Sequence, residues 1–317
     1  MIGYIEAGEY EWHRAYQSYI NLVTQVDGIF SKIRENHFIV ADCLKPVVDT
    51  LYWEHRPLLE FVLAAQVAHR EQAKQAVDAA ILGAALSGLL GLSLSQGRVI
   101  TEAALLHDTG MLIIPQEILE KPKKLTKADA QYIFAHPGQS FRLINREFHC
   151  FEGVAQIAAE RHEYYNGGGY PKGLAGRDIA LEARIIAAGD TFAALISDRP
   201  YRRALNGYDA MIHLTGEAGA QLDPAVVQAF GALMGIYPIG SLVELNTGAS
   251  ARVLKYEKTS PLLKPWVRLV RGAPGEALKQ GTVLDLAQEK NVQIKAPLGR
   301  QDILMDLIAS STYPPIG

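Results

Sequence analysis

Residues 99–110 read VITEAALLHDTG, an apolar run that ends in an adjacent histidine and aspartate. The run predicts a buried helix, and Gly110, shortly after His107 and Asp108, suits a helix end. An imidazole and a carboxylate at one helix end can bind a metal ion together, which leaves the second carboxylate oxygen for another ion. The alternative is a structural histidine near the negative end of the helix dipole.

Three side chains farther along the chain extend this pair. His136 lies in AHPGQ, His162 precedes the glycine run of YYNGGGYP, and Asp190 lies within ARIIAAGDTFAAL. A histidine alone is more often structural, but a carboxylate in an apolar run is costly to bury unless it is paired or bound to metal. With His107 and Asp108 they form a nitrogen and oxygen donor set. Such a set suits manganese or iron rather than a structural zinc held by thiolates.

The composition is that of an ordinary globular protein, with 49% hydrophobic and 21% charged residues over 317 positions. The formal net charge of −3 argues against a generally basic nucleic-acid-binding protein. Cys43 and Cys150 are not part of a CxxC motif, which disfavours a disulfide framework. No basic and then apolar order marks a signal peptide, and the apolar run at 79–94 is too short for a bilayer. We therefore expect a cytoplasmic protein.

The chain divides by pattern into three parts: a helical region at 1–62, a helical domain at 63–235 and a small β-rich module at 236–317. The predicted fold class is therefore mainly α. In the first part, helices are expected at 16–33 and 40–63. In the second, Thr126 to Asp129 resembles a capping box for a helix that would carry His136.

The third part changes to short strands. Asn246-Thr247-Gly248 lies between alternating apolar and polar residues and predicts a hairpin. Further strands are expected near 267–270 and 281–284. Before this part, Asp223 followed by Pro224 predicts the start of the last helix.

The order of segments resembles a known family. AALLHDTGMLIIP, ILEKPKKLT, AHPGQSFRLI and RHEYYNGGGYPKGLAGRDIALEARIIAAGDTFAALISDRPYRRAL are similar to the HD-GYP subfamily of HD-domain phosphohydrolases, over about residues 70–235. The segment IYPIGSLVELNTG resembles the extension that often follows such domains. The resemblance implies an all-helical core with a two- or three-metal centre that hydrolyses cyclic di-GMP, a bacterial second messenger. It also implies contact with GGDEF-type cyclases through the loop at 169–171.

The resemblance assigns roles residue by residue. Five metal-ligand positions keep the family residue: His107, Asp108, His136, His162 and Asp190. Glu71 matches an acidic position that some members use as a further ligand. Arg199 and Arg202 match basic positions that meet the substrate phosphate. Tyr170 would stack on a guanine, contact a protein partner, or pack as an ordinary loop tyrosine.

Several family residues are replaced. Gln75 stands at the position of the first histidine ligand, and Arg161 stands for the first of two adjacent histidines. Met111 replaces a lysine, and Asn166 and Ala193 replace aspartates. A neutral amide is a poor substitute for imidazole on a transition metal.

Arg161 is the more damaging change, because a guanidinium cannot ligate a cation and repels it. Each of the two ions expected from the family loses one ligand. The first would use the positions of residues 75, 107, 108 and 190, and the second those of residues 108, 136, 161 and 162. Two alternatives stay open for Arg161. It replaces an ion electrostatically, paired with Asp108 or bound to a phosphate, or it turns outward. In the first case Asp108 and Arg161 are the candidate catalytic residues.

Two functions from different classes follow. The replacements favour a weakly active or inactive phosphodiesterase that binds cyclic di-GMP or a protein partner. The retained ligands favour an active metal-dependent phosphodiesterase with an altered centre. In either case we expect iron or manganese at one site or at none. Nucleic acid is not an expected ligand, because Arg199, Arg202 and Arg203 are too few for a groove-length footprint.

Overall fold

The computed structural model describes residues 2–35, 43–65, 70–119, 121, 126–148, 150–198, 202–256, 263–272 and 281–299. Its α-helices are α1 (Ile2–Arg34), α2 (Lys45–Ala64), α3 (Glu71–Leu89), α4 (Leu94–Leu106), α5 (Gln116–Leu119), α6 (Lys127–Phe134), α7 (His136–Glu147), α8 (Val154–Glu160), α9 (Leu181–Leu195), α10 (Gly207–Gly216) and α11 (Pro224–Met234). The mainly α prediction is confirmed. Within the described ranges, no helix has both the length and the hydropathy needed to cross a membrane.

The helices pack around one hydrophobic core. Its buried side chains run from Tyr19 in α1 to Met234 in α11, so the N-terminal helices share a core with the rest. Helix α3 lies at the centre, against α1, α2, α4, α9 and α11, and its residues 73–87 are all buried. The apolar run at 79–94, which by itself favours a buried helix, is buried and helical over 79–87, but α3 ends at Leu89 and α4 begins at Leu94.

One helix boundary differs from the prediction in a way that shapes the site. The capping box is present, with Asp129 N donating to Thr126 Oγ1 at 3.2 Å, but the helix that it opens ends at Phe134. The prediction that this helix carries His136 is wrong. Pro137 within a continuous helix would clash with the carbonyl of Ile133, whereas the first turn of a new helix accepts proline. His136 therefore begins α7.

Other predicted boundaries hold approximately. Helix α1 extends beyond 16–33 at both ends. Helix α2 begins at Lys45, and the predicted start at residue 40 lies outside the described residues. The Asp223 N-cap is confirmed, since its side chain accepts from Ala225 N at 2.8 Å.

Gly110 has a different role from the predicted helix end. Helix α4 ends at Leu106, and Gly110 lies in a 3-10 turn over Thr109–Ile113. A Cβ on Gly110 would lie 2.2 Å from the carbonyl oxygen of His136, so only glycine lets the turn approach α7 this closely. Gly110 N donates to Ser140 Oγ at 2.8 Å, and that hydroxyl donates to His107 O at 2.7 Å. These bonds fix the His107-Asp108 turn against α7.

The described residues of the C-terminal module form a five-stranded antiparallel sheet. Its strands are β1 (Leu242–Leu245), β2 (Ser250–Lys255), β3 (Trp266–Arg271), β4 (Val283–Asp285) and β5 (Ile294–Leu298), in the spatial order β4-β3-β2-β1-β5. The predicted hairpin is confirmed, because Asn246-Thr247-Gly248 joins β1 to β2 and Gly248 has a φ of +87°. Val243, with β2 and β3 residues, forms a second small core. The three-part division of the chain stays a prediction.

Candidate metal centre

The candidate ligands converge where α3, α7 and α9 meet the turns that follow α4 and α8. Each element contributes one or two side chains, and most of these side chains are buried. The residues brought together are Gln75, His107, Asp108, His136, Arg161, His162 and Asp190. The spatial grouping expected from the sequence is therefore present.

Asp108, His136 and His162 form one half of the centre, which we call the retained half. One ligand atom from each lies within 4.8 Å of the other two. His136 Nε2 is 3.3 Å from Asp108 Oδ1 and 2.9 Å from His162 Nε2. Two imidazoles and one carboxylate make a donor set that suits iron or manganese. The retained half can therefore hold one ion.

Backbone carbonyls orient two of the imidazoles. His107 Nδ1 lies 2.7 Å from Ala104 O, and His136 Nδ1 lies 2.6 Å from Ile133 O. A carbonyl only accepts, so each Nδ1 carries a proton and Nε2 is the ring nitrogen that is left to face a ligand. Among the described residues, His107 Nε2 and Asp108 Oδ1 are buried without a hydrogen-bond partner. These two atoms lie 3.4 Å apart, and two unpaired buried ligand atoms this close together fit a bound cation.

Gln75, Arg161 and Asp190 form the other half, which we call the replaced half. Arg161 Nη2 donates to Asp190 Oδ2, and Gln75 Nε2 donates to Asp190 Oδ1 at 2.7 Å. Both carboxylate oxygens of Asp190, which is only 1% exposed, are thus engaged by side-chain donors. A guanidinium and an amide stand here where the family resemblance implies histidine ligands.

Arg161 points inward, and the alternative of an outward side chain is wrong, since only 13% of the side chain is exposed. The expected partner needs correction: the ion pair lies with Asp190 rather than with Asp108. The carboxylate of Asp190 is the more deeply buried, so pairing there offsets the larger desolvation cost. Arg161 Nη1 also lies 2.6 Å from His162 Nδ1, which places the guanidinium charge at the border of the retained half.

Local charges keep the retained half in a state that can ligate a metal. Burial lowers the pKa of His162 well below its usual value, and the charge of Arg161 lowers it further, so the imidazole is neutral. Burial by itself raises the pKa of Asp108. His107, His136 and Arg161 outweigh burial and hold that pKa well below its usual value. Asp108 is therefore a carboxylate.

The remaining predicted site residues are exposed, bonded to backbone carbonyls or outside the described ranges. Glu71 is exposed at the start of α3. Arg202 donates to Ala194 O at 2.9 Å and to Leu195 O at 3.0 Å, so it satisfies carbonyls at the C-terminus of α9. Arg199 lies outside the described residues. Phosphate binding by the two arginines stays a prediction.

Tyr170 packs over the retained half. Its ring stacks on the imidazole of His162, with centroids 4.7 Å apart and an interplanar angle of 14°. Phe134 lies at right angles to it, with centroids 5.0 Å apart. Burial raises the pKa of Tyr170 to about 12, so its hydroxyl keeps its proton near neutral pH. Of the three roles expected for this tyrosine, packing is the one that these contacts describe.

Glu163 is a site residue to which the sequence analysis gave no role. Its buried carboxylate accepts from Lys172 N at 2.6 Å and from Leu174 N at 2.9 Å. Tyr170 N donates to the carbonyl of His162 at 3.1 Å. The glycine-rich loop is thus held directly against a ligand of the retained half. The sequence feature that could have indicated this role is the acidic residue shortly before the glycine-rich loop.

Two segments of the chain match known protein families. Residues 57–226 match the HD domain family, and residues 242–305 match a KOW domain associated with the HD domain. The chain belongs to the HD-domain family. The resemblance to HD-GYP proteins is confirmed by this match together with the relatives below.

The relatives of this HD-domain protein carry enzyme names. It is 37% identical over 186 residues to cyclic di-GMP phosphodiesterase PA4108 of Pseudomonas aeruginosa. The aligned region is 59% of this chain and 44% of the relative. The chain is 43% identical over 141 residues to the cyclic di-GMP phosphodiesterase response regulator RpfG of Xanthomonas campestris. The aligned region is 44% of this chain and 37% of the relative. The chain thus covers less than half the length of either.

One solved structure shares the fold. Bd1817, described as an HDG"Y"P protein from Bdellovibrio bacteriovorus, superposes with a TM-score of 0.55 at 18% identity. The superposition covers 69% of this chain and 71% of that one. At this identity the likeness concerns the fold alone.

Proposed function

We propose that this HD-domain protein acts in cytoplasmic cyclic di-GMP signalling by binding the nucleotide at a one-ion centre, with weak hydrolysis or none. The observation that carries the proposal is the buried ion pair between Arg161 and Asp190. It puts a permanent cation where the family resemblance implies part of a metal-binding site. The names of the relatives support the nucleotide class.

The donor set supports one iron or manganese ion in the retained half, held by Asp108, His136 and His162. Such an ion, when bound, supplies Lewis acidity to a phosphate oxygen. The backbone bond from His136 Nδ1 to Ile133 O keeps that ligand oriented. The low pKa of Asp108 keeps its carboxylate charged for the same purpose.

Arg161 explains why binding and hydrolysis separate. In two-ion hydrolysis, both ions take part, in activating water and in neutralising the leaving oxygen. A guanidinium offers charge and paired hydrogen bonds to a phosphate. It has no acceptor and keeps its proton, so it cannot generate a nucleophilic hydroxide. Nucleotide affinity is therefore retained while the rate of hydrolysis falls.

The alternative function is an active phosphodiesterase that works with one ion. The three ligand residues that remain in the retained half favour it, because a single Lewis acid already stabilises charge in phosphoryl chemistry. A GGDEF-type partner at the 169–171 loop stays a prediction from the family resemblance. Its test is co-purification with wild-type protein and loss on Tyr170→Ala.

The deciding experiment measures three quantities on the same full-length protein: bound metal by elemental analysis, cyclic di-GMP affinity by calorimetry, and turnover in added manganese or iron. We expect about one ion, measurable nucleotide binding and little or no product. Gln75→His combined with Arg161→His should gain a second ion and turnover. Arg146→His, at a side chain that is 69% exposed, is the matched control and should change none of them.

The outcomes separate the readings. Steady formation of linear or mononucleotide product by the wild type establishes the alternative. Absence of both metal and nucleotide binding overturns both readings. A double variant that folds but gains no second ion contradicts the assignment of the replaced half.

A further inference from the structure

Phe134 is an exposed aromatic ring beside the candidate centre. It is the last residue of α6, and 57% of it is exposed. Its ring lies 5.0 Å from that of Tyr170, which in turn stacks on His162. Two residues later the chain supplies His136, another member of the retained half. The Tyr170 ring therefore lies between the exposed apolar face of Phe134 and the candidate metal ligands.

The size of this surface favours a small ligand. Helix α6 has eight residues, and apart from Tyr132 its other exposed positions are Lys127, Ala128 and Gln131. A stable protein interface needs about 800 Å² from each partner, far more than one ring provides. A single aromatic ring instead matches one nucleobase, since each base offers a planar face for stacking.

The charges next to this ring determine what the rest of the ligand must be. Arg161 lies beside His162, and a cation in the retained half would add to its positive charge. A ligand that covers Phe134 and also reaches these groups must combine a planar apolar part with an anionic part. A nucleotide has both.

We propose that Phe134 is a substrate-binding residue that stacks on one guanine of cyclic di-GMP while a phosphate of the same molecule reaches Arg161 and the retained half. This inference rests on the proposed function and deepens it. It assigns to Phe134 the stacking role that the sequence suggested for Tyr170, because one face of the Tyr170 ring is already stacked on His162.

The test compares two exposed aromatic residues of one helix. Phe134→Ala should weaken cyclic di-GMP binding by about tenfold or more, the usual effect of removing a ring that stacks on a base. Tyr132→Ala is the matched control, because Tyr132 is 56% exposed and lies two positions away, on the other side of the helix. Phe134→Trp should retain binding, whereas Phe134→Leu should not. Ribose 5-phosphate, which lacks a base, should bind wild type and Phe134→Ala equally.

Each result decides the point. A wild type that binds cyclic di-GMP, together with Phe134→Ala that binds as tightly, overturns this inference and leaves the proposed function standing. If Phe134→Ala and Tyr132→Ala lose affinity for cyclic di-GMP equally, the site is disturbed in general and the inference is overturned. The same holds if Phe134→Ala loses affinity for cyclic di-GMP and ribose 5-phosphate equally. A wild type that binds no cyclic di-GMP overturns the inference and the proposed function together.

Discussion

The retained and replaced halves of the centre lie side by side and are built on different principles. In the retained half, one ligand atom each of Asp108, His136 and His162 lies within 4.8 Å of the other two. Among the described residues, no lysine or arginine forms an ion pair with the Asp108 carboxylate as Arg161 does with Asp190. In the replaced half, Asp190 has its charge balanced by Arg161 and its other oxygen bonded by Gln75. The first arrangement gains from a cation, whereas the second already contains one.

His107 lies between the two halves. Its Nε2 is 3.4 Å from Asp108 Oδ1 and 3.3 Å from Asp190 Oδ1. His107 thus connects two halves of which one already holds a side-chain cation and the other does not. Removing side chains one at a time can test this contrast.

Arg161→Ala should have the largest effect on stability. It leaves the carboxylate of Asp190 buried without its counter-charge, which typically costs about 3–5 kcal/mol in the free energy of unfolding. Urea unfolding measures the loss. Arg146→Ala, which removes a surface ion pair with Glu147, should cost no more than about 1 kcal/mol. Equal losses for the two variants would mean that Arg161 does not balance Asp190.

His136→Ala should act on the other half through metal binding. Removing a direct ligand should lower metal affinity by at least the ~10–100-fold lost when only a hydrogen-bond partner of a ligand is removed. Competition with a chelator of known affinity measures it. His213→Ala, at an exposed position on α10, is the control. Unchanged affinity in His136→Ala would remove the retained half as the ion's location.

Glu163→Gln should loosen the loop without unfolding the protein. It weakens two charge-assisted bonds, from Lys172 N and Leu174 N, each worth about 1.5–3 kcal/mol. Hydrogen exchange at these amides should accelerate, while exchange in α3 stays slow. Glu152→Gln, at an exposed position, should leave the loop amides unchanged. Protection that survives in Glu163→Gln would show that other contacts hold the loop.

Gln75→Leu should have the smallest effect. Arg161 still balances Asp190, so losing the hydrogen bond from Gln75 to Asp190 should itself cost about 1 kcal/mol in unfolding free energy. Metal content should not change, because Gln75 belongs to the replaced half. A fall in bound metal would instead mean that the two halves share one ion. Gln131→Leu, on the exposed side of α6, serves as the comparison.

Much of this arrangement could be predicted because its determinants are local. The capping box at Thr126, the turn at Gly248 and the His107-Asp108 pair depend on neighbouring residues. The partner of Arg161 could not be predicted, since a long side chain reaches several carboxylates and burial selects among them. The start of α7 was missed although Pro137 marked it.

Glu163 and Phe134 were missed for a related reason. Their roles depend on how a loop folds back and which ring stays uncovered, and both are properties of packing rather than of residue order. An aromatic residue at a helix end carried no signal of its own.

The hydrogen bond from Tyr170 N to the carbonyl of His162 couples the glycine-rich loop to this metal-ligand residue. Anything that displaces the loop must therefore alter how His162 meets an ion, and ion binding must alter the loop. Such coupling is reciprocal, so a partner that grips the loop and an ion at the centre change each other's affinity by the same factor. A protein that bound this loop would then bind it with an affinity that changes with the supply of metal.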